Sequence, residues 1–274
     1  MQTITRFLRR VPRAALFALA LGLPSLCLGA NPVLDRVVEQ GVLKVAMSGE
    51  QQPFNFVYGK KKSVIGYDVD LAESLAGLMK VKLEVVKLPF DQLIGALQDG
   101  RADMVISGMT ITASRTRDVS FIGPYMLSGK SMLVSDKIMS KVKTPADLNS
   151  SDIKLAALRG STSESLIRQE LPRASLTLAA NYDEAVDLLL AGDVNGMVAD
   201  MPILALTRQK NRDANLQLIR PPLSVEPLGI AIAKGDEQFE NLLRNYLLVF
   251  EKTGLLLNLH KKWFEIGNSK IYEP

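Results

Sequence analysis

The chain is poor in the residues that carry most metal and nucleophilic chemistry. It has one cysteine, Cys27, and one histidine, His260. Cys27 lies in the first 30 residues, so a chain cleaved after them would hold no disulfide, no thiol nucleophile and no cysteine metal site. A Ser-His-Asp triad would have to place His260 in a pocket, and a multi-histidine centre needs more than one histidine. His260 sits in Leu257-Asn258-Leu259-His260-Lys261-Lys262, which reads as the polar side of a C-terminal helix. Long apolar runs are also missing. Ala14 to Leu23 spans ten residues, whereas a membrane-crossing helix needs about 20. Excess charge is missing from the body of the chain too. Four arginines (Arg6, Arg9, Arg10, Arg13) and no acid precede residue 31, and the remainder holds 29 basic and 29 acidic residues. That balance gives no electrostatic footprint for nucleic acid or an acidic membrane.

What the chain does have begins with its leader. The arginines, the apolar stretch, Pro24-Ser25 and the small residues Leu28-Gly29-Ala30 follow the order of a secretory signal. Residues 1–30 are therefore expected to be removed on export to the periplasm. Pro24-Ser25-Leu26 is a poor lipobox before Cys27.

The exported part alternates strand and helix signals. Leu43 to Met47 reads as a strand, Tyr67 to Met79 as an amphipathic helix, and Val81 to Val86 as a strand. Asp91 to Gln98 reads as a helix stopped at Asp99-Gly100, and Met104 to Ile106 as a buried strand. This is the pattern of an open α/β sheet, whose ligands sit beyond the carboxyl ends of the strands. A helix, glycine and buried strand recur at Tyr182 to Val198, offset by 92 residues at Gly192, although such units are common in α/β proteins. Ser128-Gly129-Lys130 and the polar stretch that follows mark a crossing into a second lobe, and Pro221-Pro222 and Pro227 bracket the return. The expected organisation is one lobe from residues 31–127 and 228–274, a second from 128–227, and two parallel connecting strands acting as a hinge. Gly229 to Ala233 reads as a strand and Asp236 to Phe264 as two helices broken near Gly254.

Polar groups gather at the strand ends. Thr110-Ile111-Thr112-Ala113-Ser114-Arg115 puts a hydroxyl, free N–H groups and a guanidinium together, and a guanidinium matches a carboxylate with two hydrogen bonds. Gly160-Ser161-Thr162 stands where a strand turns into a helix, and serves equally well as an anion site or as a helix cap. Asp200 ends the strand Met197-Val198-Ala199 and either receives an ammonium group or caps the next helix.

Several motifs resemble the periplasmic amino-acid-binding proteins of ABC importers, the polar amino acid group of two-lobed solute-binding proteins. They are Gly66-Tyr67-Asp68-Val69-Asp70-Leu71-Ala72, Gly100-Arg101-Ala102-Asp103, Ser107-Gly108-Met109-Thr110, Phe121-Ile122-Gly123-Pro124-Tyr125 and Lys261-Lys262-Trp263-Phe264. The resemblance implies a type II α/β fold with two hinge strands, and a monomer that uses no cofactor or metal and delivers its ligand to a membrane permease. It also implies that Arg115, with Thr110 and the Gly108 backbone, pairs with a ligand α-carboxylate. Thr162, beside Ser161, is the implied second-lobe partner, and Asp200 the acid for the α-ammonium. Ser107 and Gly108 are implied to face the ligand at a strand end, and Phe90 to form one aromatic wall. The chain departs from the family pattern at Gln51, where an aromatic residue often stands, and at Ser48, where binders of basic or amide side chains commonly carry an acid. Gln51 or Glu50 would then meet a polar ligand side chain. The rival expectation is a cyclohexadienyl or arogenate dehydratase on the same fold, with Glu164 or Glu50 as its general acid. A third is a sensory module that presents the same cleft to a receptor.

Overall fold

The computed structural model describes residues 33–139, 142 and 144–265, so the expected signal segment lies outside the described residues. A short helix α1 (Val33–Gln40) leads into β1 (Val42–Met47), and β2 (Glu50–Gln51), β3 (Asn55–Tyr58) and β4 (Ser63–Ile65) form a small antiparallel sheet. Helix α2 (Tyr67–Met79), β5 (Lys82–Lys87), α3 (Leu93–Gln98) and β6 (Met104–Val105) follow. The chain then crosses on the long strand β7 (Ser120–Ser135), passes α4 (Asp136–Met139) and builds a second unit. That unit holds β8 (Lys154–Leu158), α5 (Thr162–Glu170), β9 (Ser175–Ala179), α6 (Tyr182–Ala191), β10 (Gly196–Asp200), α7 (Met201–Lys210) and β11 (Leu216–Leu218). It returns on β12 (Ser224–Ile232) and ends in α8 (Glu237–Lys252) and α9 (Leu255–Phe264).

The large sheet runs β5-β1-β6-β12-β7-β10-β8-β9, with β11 paired to β7. Its outer thirds have the same plan. In each, the first strand in sequence lies centrally, the second at the edge and the third innermost, and all are parallel. The 92-residue echo is therefore matched by two like-ordered βαβαβ units. The connecting strands differ from expectation in direction: β7 and β12 are antiparallel, with Ser224 opposite Lys130 and Glu226 opposite Ser128. One strand leaves the first half and the other returns to it, so their directions must be opposed. The returning strand is also longer than its apolar core because Ser224 to Pro227 extends the ladder.

Local sequence explains why the elements end where they do. Gly192 and Gly254 adopt left-handed backbone at the ends of α6 and α8, as a chain must to turn out of a helix. In α8, Phe239, Leu243, Leu247 and Phe250 recur at helical spacing and are buried, each burial contributing about 1.5–3 kcal/mol. His260 on α9 is exposed, as its polar surroundings suggest. Among the described residues no helix is long and apolar enough to cross a membrane.

One buried charge belongs to the first half alone. Asp68 is fully buried and accepts hydrogen bonds from Asn55 Nδ2 at 2.7 Å and Tyr125 Oη at 3.0 Å. Burial pushes its carboxyl up to about 6, against the opposing pull of the Asn55, Tyr125 and Gly108 hydrogen bonds. A raised folded-state value means that the native state holds more protons than the unfolded chain between pH 4 and 6, so stability falls as pH rises through that window. Asp68→Asn removes this dependence. Urea unfolding at pH 4 and pH 7 should show the balance moving in the variant's favour by about 2 kcal/mol across that range. Parallel profiles would contradict it.

Candidate functional site

The carboxyl ends of both parallel units point to one place. From the first half come Gln51 at the end of β2, the short 3-10 turn Phe90–Gln92, and the segment after β6 that carries Ser107 to Arg115. From the second come Gly160 to Thr162 at the start of α5, Tyr182 at the start of α6, and Asp200 at the end of β10. Gln51, Phe90, Gly108, Thr110, Arg115, Ser161, Thr162 and Asp200 enclose a common space of about 10 Å³, together with Tyr182 and Lys130. That volume holds about one water.

Eight of the nine residues expected from sequence thus converge. The ninth, Ser107, lies behind the wall. It is fully buried and its Oγ accepts from Ser48 N–H at 3.0 Å and Gln51 Nε2 at 3.1 Å, facing away from the cleft. Gln51 also donates to Ser48 Oγ at 2.9 Å, so its amide N–H groups are committed to the protein and its Oε1 is what remains for a guest. Gly108 lets that oxygen approach. Its φ is +55°, and an added Cβ would stand 3.0 Å from Gln51 Oε1.

Arg115 bridges the two halves. Its Nη1 donates to Thr110 O and its Nη2 to Gly160 O, both at 2.9 Å, and its guanidinium carbon lies 5.6 Å from the centre of the Phe90 ring. Phe90 therefore serves as a platform for the guanidinium. Both acceptors are neutral carbonyls, and Arg115 makes no ion pair among the described residues. Burial lowers its affinity for its proton, while Glu226 and Asp200 act in the opposite direction. The guanidinium thus lacks an anionic partner.

At the start of α5 the cap reading of Ser161 holds. Its Oγ accepts from Glu164 N–H at 3.3 Å and donates to Leu158 O at 2.6 Å. Asp200, by contrast, caps nothing. Its Oδ2 pairs with Lys130 Nζ at 2.6 Å, both side chains being almost wholly buried, and its Oδ1 is buried with no hydrogen-bond partner. Lys130 also stands 3.7 Å from Glu226 Oε2. Burial pushes the Glu226 carboxyl up, but the Lys130 charge and the Thr162, Thr110 and Ser224 hydroxyls outweigh it and leave it below the usual range.

Sequence reasoning missed Tyr182, Lys130 and Glu226. Lys130 is in phase with buried Ser128, Met132 and Val134 on β7, so a two-residue period would have pointed it inward. The acids considered for catalysis are committed elsewhere. Glu50 pairs with Lys87 at 3.0 Å, and Glu164 accepts from Gly160 N–H at 2.9 Å and Arg168 Nε at 3.0 Å.

Two α/β halves hinged on a strand pair, with a cation on one wall and a carboxylate on the other, define a bilobal solute-binding protein of type II architecture. Comparison with known proteins gives the family: the chain belongs to the bacterial extracellular solute-binding proteins, family 3, whose model matches residues 43–266. It is 32% identical over 203 residues to the ABC transporter glutamine-binding protein GlnH of Bacillus subtilis, covering 73% of this chain and 72% of that protein. It is 26% identical over 236 residues to the cyclohexadienyl dehydratase of Pseudomonas aeruginosa, covering 85% and 86%. Among solved structures, an ancestral amino acid-binding protein described as a precursor of cyclohexadienyl dehydratase superposes with a TM-score of 0.78 at 37% identity, over 85% of this chain and 99% of that one.

The Lys130–Asp200 pair also generates a stability prediction. Removing one member of a buried pair strands the other charge in the interior at a cost of about 3–5 kcal/mol. Lys130→Met should lower the unfolding free energy by that amount in urea titrations at pH 7, and a loss under about 1 kcal/mol would show that Asp200 finds water instead.

Proposed function

We propose that this protein captures an amino acid or related zwitterion between two lobes, residues 31–127 with 228–274 and residues 128–227, and presents the closed form to an ABC importer permease. The observation that carries this reading is the pair of unmatched groups in one cleft: a guanidinium without an anion at Arg115 and a buried carboxylate oxygen without a donor at Asp200. A small dipolar guest satisfies both at once. Its carboxylate fits the planar fork of Arg115 and its ammonium fits Asp200 Oδ1.

Formal charge supports the same guest. Arg115 and Lys130 against Asp200 and Glu226 sum to zero, so a neutral zwitterion enters without leaving a buried net charge, which an anion or a cation would do. Closure excludes water and strengthens each of these contacts, and contacts made only in the closed form are what shift the hinge equilibrium. Export through residues 1–30, a periplasmic location and a monomeric state complete the proposal. The glutamine-binding relative, at 32% identity against 26% for the dehydratase, supports transport over dehydration. So does the local engagement of Glu164 and Glu50, neither of which lines the enclosed space.

The test is calorimetry with the exported form, after a thermal-shift screen of the amino acids has supplied a ligand. Arg115→Ala and Asp200→Asn should each weaken that ligand by about 2–5 kcal/mol, at least about thirtyfold in Kd, with circular dichroism unchanged. Unaltered affinity in either variant would reject its assigned role. Turnover of prephenate or arogenate by the wild-type protein would replace transport with the dehydratase reading.

A further inference from the structure

Glu226 has no part in the amino-acid site as the family resemblance lays it out, yet it occupies two of that site's hydrogen bonds. Its Oε2 accepts from Thr110 Oγ1 at 2.7 Å and from Thr162 Oγ1 at 2.6 Å. Thr110 belongs to the first half and Thr162 to the second, while Glu226 stands on β12, one of the two strands joining them. One carboxylate oxygen therefore ties both walls of the cleft together. Lys130 holds it from the facing strand at 3.7 Å, and Ser224 Oγ donates to Oε1 at 3.2 Å.

The proton count makes this contact competitive. A threonine hydroxyl has one proton to donate, and both hydroxyls spend theirs on Glu226. The two hydroxyl oxygens also lie 3.3 Å apart, a contact that neither can serve as donor while bound to Glu226. A guest carboxylate that takes the same two hydroxyls must displace Glu226, because two carboxylates cannot share those protons and would repel one another. Glu226 has somewhere to go. It also lines a cavity of about 720 Å³ that adjoins the site at Arg115, Ser161 and Thr162 and extends to Ser165, Leu171 and Leu223.

We infer that Glu226 is a built-in competitor for the ligand carboxylate: it latches Thr110 to Thr162 across the cleft, and the guest must dislodge it into the neighbouring cavity to bind. The inference rests on the amino-acid reading above for the identity of the guest, but the latch itself needs none. It makes Glu226 a residue that sets affinity without gripping the ligand. If the latched form outweighs the binding-competent form by about ten to one, the apparent Kd is about tenfold weaker than the intrinsic one.

The experiment uses the exported form of the wild type and Glu226→Ala, each dialysed free of ligand and checked by circular dichroism. Small-angle scattering without ligand should give a larger radius of gyration for Glu226→Ala than for the wild type. Calorimetry with the best amino acid from the screen should then show about tenfold tighter binding by the variant. Equal radii of gyration, or binding that is unchanged or weaker in the variant, would overturn the inference. Should Glu226→Ala not fold, Glu226→Gln is read in its place by the same criteria. If no amino acid binds either protein, the transport reading fails, while the scattering result still decides whether the latch exists.

Discussion

A buried lysine is the constraint around which the cleft is arranged. Lys130 lies almost wholly out of water on the strand that links the two halves, and an ammonium in that position is tolerable only if anions meet it. Asp200 from the second half and Glu226 from the returning strand supply them. Most of the site's polar geometry follows from that requirement. Asp200 is turned from the helix it precedes toward β7, leaving one oxygen open, and Glu226 is drawn inward to where the threonine hydroxyls reach it. The two halves are tied by this charge cluster as well as by the backbone ladder beneath it.

Much of the fold was legible because each element carried a local signal. Tyr67 to Met79 was bounded correctly by its apolar spacing, and the break at Gly254 by its glycine. The repeat between the halves was visible as a helix, glycine and strand, and the sheet gives it substance by repeating the same strand order. The direction of the connecting strands was misjudged because strand direction is a property of topology, which no local pattern encodes.

The site was legible to the extent that strand ends and helix starts can be found in sequence. Arg115, Thr110, Thr162 and Asp200 stood out because they follow apolar strands directly, and the structure gathers them around one space. Ser107 sits behind that space, because its neighbour Gly108 takes the wall position and a one-residue step turns the Ser107 side chain away. Lys130 and Glu226 escaped for a different reason. A lysine in a strand usually faces water, and what makes this one face inward is its pairing with residues 70 and 96 positions away. Long-range electrostatic partners of this kind leave only a faint mark on the sequence, here the two-residue phase of β7.

The length of β7 bears on how the molecule can move. Its sixteen residues pair with β12 and then β11 on one edge and with β10 on the other, so a single uninterrupted ribbon runs through both halves. Opening such a joint does not require the ladder to unzip. The deformation spreads along the ribbon as twist, much as a leaf spring bends without parting its layers, and the irregularity between Leu228 and Ile230 gives that twist a place to concentrate.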